Sequence, residues 1–199
     1  VTLPSLIGGP TTQQVGYFAY DSRRLADWIR EGLGGDWVLA TPTWRSLEDA
    51  VSSLVPAPVL FRYACVAVDG WTLVLNNGPL GTDVGVLPSY AARELGCRAI
   101  RAVRVEDDAA YPARILEVYG PSGEPPLALE RSIAAADDGG RWVFELGGTP
   151  FPFEDQSAYQ RRSKASRFTS EMVTDYLRAL GVPADAEPDW STAVTVERR

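Results

Sequence analysis

Residues 59–75, VLFRYACVAVDGWTLVL, decide the architecture. Two nearly unbroken apolar runs flank one Asp-Gly pair, Asp69-Gly70. A type I′ turn needs positive φ at both central residues, and Asp-Gly adopts it at little steric cost. The stretch is expected to be a tight β-hairpin. Runs this apolar have no solvent face, so both strands are expected at the centre of a sheet covered on both sides.

Upstream, residues 14–20 suit a short first strand. Asp21 or Ser22 then caps a helix to Leu33, with Leu25, Trp28, Ile29 and Leu33 on one face and Gly34-Gly35 as the stop. Residues 37–40 read as a brief strand. A second helix is expected over 44–54, capped by Thr43 and ended by Pro56 and Pro58.

Downstream, the hairpin's second strand empties into a glycine-rich connector, NNGPLGTDVG at 76–85, followed by a short helix over 89–95. Alternating strands are expected over 97–106, 113–119 and 127–135, and a fourth over 141–146, joined as an antiparallel meander. Residues 71–106 suit one βαβ-like crossover. Asp155 suits the cap of a short turn after the TPFPFED loop. The last helix is expected over 170–180, capped by Thr169 and stapled by Phe168 and Val173. The tail reads as loose, or as one edge strand over 192–196.

The fold read from this pattern is α+β. It is an antiparallel-dominated sheet of about six strands with helices from the N- and C-terminal regions packed against it. One domain is expected over 1–199, divided into a helical region 1–56, a sheet region 57–147 and a loop, helix and tail 148–199.

Composition excludes several chemistries. The 199 residues contain no histidine, which removes the usual general base and commonest metal ligand. Cys65 and Cys97 lie in separate strand-like runs, so neither a disulfide framework nor a zinc site is expected. No catalytic residue, cofactor or metal is assigned. Acidic residues outnumber basic ones 26 to 19, giving a net charge of −7. That field repels nucleic acid and anionic lipid and suits a basic protein partner or plain solubility. The first residues have no basic start or long apolar run, and no window reaches about 18 apolar residues. A cytoplasmic location is the expectation.

The connector at 76–85 fails as a phosphate loop, because it lacks Lys and Arg between Gly78 and Gly85 and carries Asp83 instead. Asn76, Asn77 and Asp83 would suit a hydrogen-bonding or cationic partner. Glu106, Asp107 and Asp108 form one acidic turn, and Asp137 and Asp138 another; both are candidate partner contacts. Arg161, Arg162 and Arg167 belong to a basic run suited to an anion, or to pairing with Glu154 and Asp155. Glu117 and Arg131 are charges inside strands, placed for a cross-strand pair. Among six tryptophans, Trp28 and Trp142 read as core, and Trp44 and Trp190 as segment ends.

Two function classes follow. The first is a non-catalytic binding protein of immunity or antitoxin type, occluding a basic toxin or enzyme. The likeness is one of general profile, without a family motif. The second is a small-molecule-binding protein, or a histidine-independent cyclase or isomerase, with an aromatic-lined pocket. A deep closed pocket with Arg or Glu pointing inward would favour the second class. An exposed acidic or aromatic patch would favour the first.

Overall fold

The computed structural model describes residues 13–184 and 186–199. The expectation about residues 1–12 therefore lies outside the described residues. In chain order the elements are β1 (Gln14–Phe18), α1 (Ser22–Leu33), β2 (Trp37–Ala40), α2 (Leu47–Ser53), β3 (Arg62–Val68) and β4 (Trp71–Asn76). There follow α3 (Leu87–Glu94), β5 (Ala99–Val105), β6 (Ala113–Glu124), β7 (Leu129–Asp137), β8 (Trp142–Gly148), α4 (Ser170–Ala179) and β9 (Asp189–Arg198).

The sheet has nine strands rather than about six, in the order β2-β9-β3-β4-β1-β5-β6-β7-β8, with every neighbouring pair antiparallel. The α+β class stands, but the strand count does not. The largest difference from the sequence pattern is at the C-terminus. β9 is neither loose nor an edge, because it pairs with β2 on one side and β3 on the other. Trp190, read as a segment end, is buried there against Ala50, Val66 and Ala193.

The β3–β4 hairpin sits inside the sheet. Asp69 has φ 40° and Gly70 φ 81°, the signs a type I′ turn requires. Alternation sends Ala64, Val68, Leu73 and Leu75 into one core and Cys65 and Val74 into the other. Each fully buried aliphatic side chain here contributes roughly 1.5–3 kcal/mol. β1 lies between β4 and β5 and is antiparallel to both, so β4 and β5 are parallel. The connection between them, through α3, is thus a crossover.

The helices divide between the faces. α1 buries Leu25, Ala26 and Ile29, and α3 buries Ala91, in the core that holds Phe18 and Val74. α4 buries Val173, Tyr176 and Leu177 in the opposite core, around Tyr17, Leu73 and Ile133. Asp21 caps α1 by accepting from Arg24 N at 2.9 Å. α2 starts at Leu47 rather than at 44, because Ser46 caps it through Asp49 N. Glu117 and Arg131 do not pair, since they stand on opposite faces. Glu117 alternates with core residues Leu116 and Val118, while Arg131 shares the face of Ile133 and Ala135. Glu117 pairs with Arg101 at 3.1 Å, and Arg131 with Glu154 at 2.7 Å.

Candidate protein-binding surface around the glycine-rich loop

The glycine-rich connector is built by its asparagines. Asn76 Oδ1 accepts from Gly78 N (3.1 Å) and Asp83 N (2.9 Å), and its Nδ2 donates to Asp83 O (2.6 Å). Thr82 Oγ1 donates back to Asn76 O at 3.0 Å. One side chain thereby ties both ends of the loop. The fit is close: a Cβ on Gly78 would lie 2.7 Å from Gly81 O. Asn77 Oδ1 accepts from Phe61 N and Arg62 N, anchoring the loop to the segment entering β3. Both asparagines are fully buried, so they position the loop and present nothing to a partner. Asp83 is exposed, with Oδ1 accepting from Gly85 N at 2.9 Å.

The loop delivers the chain to α3, and three solvent-open grooves border that helix. The first, about 440 Å³, lies between loop and helix on one side and β5–β6 on the other. Asp83, Ser89, Tyr90, Arg101, Glu117 and Tyr119 line it. Arg101 donates to Glu117 Oε2 (3.1 Å) and twice to Gln14 Oε1, and Tyr119 donates to the same Glu117 oxygen at 3.2 Å. Burial, then the Glu117 charge, holds the Tyr119 hydroxyl well above its usual range. Tyr63 shifts upward too, through burial and the charge of Asp83.

The second groove, about 250 Å³, runs between α1 and α3 past Trp28, Leu33, Leu87 and Tyr90. Its rim is fixed by Trp28 Nε1 donating to Glu94 Oε2 at 2.9 Å. The third, about 500 Å³, separates α3 from the β6–β7 hairpin at Pro125 and Pro126. Tyr90 borders the first two grooves and Arg93 the first and third. Large apolar side chains stand out between them: Val86 is 67% exposed, Leu127 53% and Tyr90 45%. The Arg93 guanidinium lies 5.5 Å from the Tyr90 ring centre.

The remaining candidates fall elsewhere. The β5–β6 and β7–β8 turns leave the same end of the sheet, because Ala113 pairs with Ala136. Both acidic turns therefore share that end. Glu106 pairs with Arg104 at 3.1 Å and Asp107 with the buried Arg114, while Asp137 accepts from Gly140 N at 2.6 Å. Asp108 and Asp138 are exposed.

The basic run folds on itself. Arg161 donates to Ser166 O (2.9 Å) and lies 3.9 Å from Asp155, and Arg167 donates to Arg161 O (2.7 Å). Arg167 also lies over Phe144, and Arg162 is exposed. Two of the three guanidiniums thus hold the turn, and the three do not converge on one anion. Glu154 belongs to the core with Arg131, not to the basic run.

Sequence reasoning missed Val86, Tyr90 and Arg101. The available signal was Val86 and Tyr90 at i, i+4 on the face of α3 opposite the buried Ala91 and Ala92. The chain matches no family model, no curated protein and no solved structure.

Proposed function

We propose that this is a non-catalytic binding protein of immunity or antitoxin type, which covers the working surface of a basic protein. The α3 surface is its docking face. The observation that carries this reading is the concentration of exposed Val86, Tyr90 and Leu127 between three grooves, with the Asp83 carboxylate beside them. Aromatic anchors in a contoured apolar patch with a polar rim are the usual substance of protein hot spots. A net charge of −7 attracts a basic partner and repels an acidic one.

The test is affinity capture from the native host with the wild-type chain and with Tyr90→Ala and Val86→Asp variants. The expected result is one basic protein, held by the wild type, lost by both variants, and inhibited in its own activity by the wild type. Recovery of the same proteins by all three chains would refute the α3 face. A captured protein that keeps its activity would refute occlusion.

A small-molecule role is the second reading, favoured by Arg101, Gln14, Glu117 and Tyr119 meeting at the first groove. A metabolite that raises Tm in the wild type and not in Glu117→Gln would support it.

A further inference from the structure

β8 closes the sheet at one edge and is long enough to accept another strand; the opposite edge, β2, has only four residues. Its hydrogen-bonding phase is set by the turn, where Asp138 N donates to Arg141 O. With the β7–β8 register, Arg141, Val143 and Glu145 direct their backbone groups at β7. Trp142, Phe144 and Leu146 direct theirs outward. Among the described residues nothing outside β8 is hydrogen-bonded to these outward groups. An unpaired strand edge is a template for another strand.

We infer that the occupant is a second copy of this chain, pairing β8 to β8 antiparallel about a two-fold axis through Val143. The side chains select both the partner and the register. About Val143, each Arg141 stands opposite the second copy's Glu145, giving two opposite-charge pairs, and Val143 meets Val143. On the other face each Trp142 stands opposite a Phe144, giving two aromatic cross-strand pairs. Leu146, 46% exposed, lies past the last of these pairs, because Gly140 is already in the turn with φ 91°. Moving the two-fold axis by one residue, to Phe144, puts Val143 opposite Glu145 and pairs no charges. Moving the axis by two residues sets Glu145 against Glu145, a like-charge contact. A self-complementary patch of this kind is what an isologous two-fold interface requires.

The test is sedimentation of the full chain as wild type, Glu145→Arg, Arg141→Glu and the double swap, with circular dichroism on each. The wild type is expected to dimerise at micromolar concentration. Each single reversal is expected to weaken the dimer by roughly tenfold or more, and the double swap to restore it. A wild-type monomer at every concentration, or single variants that dimerise unchanged, would overturn the proposal. So would a folded double swap that stays monomeric.

A second measurement is independent of those variants. Opposed residues in a non-hydrogen-bonded pair have Cα atoms about 4.5 Å apart, within disulfide reach. Under oxidation Val143→Cys should cross-link to a dimer, while Glu145→Cys should not. Equal cross-linking by both, or cross-linking by Glu145→Cys alone, overturns the register.

Discussion

Arg131 and Glu154 form a two-point ion pair inside the molecule. Nε donates to Oε1 at 2.9 Å and Nη2 to Oε2 at 2.7 Å, and the side chains are 3% and 0% exposed. The pair fixes the TPFPFED loop over β7. Glu154 also accepts from Phe151 N and Tyr159 Oη, while Arg131 also donates to Gly147 O and Gly148 O. Phe151 and Phe153, stacked at 5.2 Å, then pack against the core. The loop therefore plugs the core, while Thr149, Pro150 and Phe151 border a groove of about 330 Å³. Glu154→Ala strands a buried guanidinium, and is expected to cost about 3–5 kcal/mol. Urea unfolding checks this; a loss under about 1 kcal/mol would show that water reaches Arg131.

Asn76 and Asp83 separate building the loop from displaying it. Asn76→Ala removes three hydrogen bonds and leaves the N–H of buried Gly78 without its acceptor, so a cost of about 2–3 kcal/mol is expected. Asp83→Asn keeps the side-chain oxygen that accepts from Gly85 N, so its stability should change by less than about 0.5 kcal/mol. If the α3 face binds a basic protein, Asp83→Asn weakens capture while the urea midpoint stays put. A large stability loss from Asp83→Asn would make Asp83 a structural residue instead.

What the sequence disclosed follows the range of the forces involved. The β3–β4 hairpin was legible because Asp69-Gly70 encodes its own turn. α1 was legible because cap, apolar face and stop all lie within it. α2 starts later than the pattern suggests because Thr43 resembles a cap, whereas the competing Ser46 makes the bond. β9 is not legible as an interior strand because its partners are β2 and β3, more than a hundred residues away. At the site, Asp83 was legible as an acid in a loop. Arg101 and Tyr119 were not, because alternation assigns a face without saying which helix lies beside it.

The tyrosines predict the alkaline limit of stability. Burial raises Tyr17, Tyr63, Tyr119 and Tyr159 above the ordinary value, with neighbouring carboxylates or hydroxyls adding to all but Tyr17. The unfolded chain ionises these groups near pH 10, while the folded chain keeps them neutral. Their stabilisation is complete below that pH and is lost as pH rises past it toward the folded values. For fully buried Tyr17 the loss approaches about 1.4 kcal/mol per pH unit. The urea midpoint should fall above pH 10, and tyrosinate absorbance should complete only with unfolding. Full tyrosinate absorbance in a still-folded protein would refute this. On the acid side, hydrogen bonds hold Asp155 and Glu171 low, so their contribution is present above about pH 4 and lost below it.

The burial of β9 makes the end of the chain essential to folding. Ala193, Val194, Thr195 and Val196 are all buried, and β9 supplies partners to β2 and β3 together. Removing residues 189–199 would leave β2 without a neighbour and expose the edge of β3. It would also uncover Val66 and Ala50, on which Trp190 packs. An optional edge strand would cost a few kcal/mol at most; an interior strand removes several buried side chains at roughly 1.5–3 kcal/mol each, comparable with the whole stability of a domain. The truncated chain is therefore expected to lose cooperative thermal unfolding and to collect in the insoluble fraction. A single Val196→Asp substitution, which puts a charge on a fully buried site, is expected to do the same in the full-length chain. Soluble truncated protein with an unchanged Tm would show β9 to be an accessory strand after all.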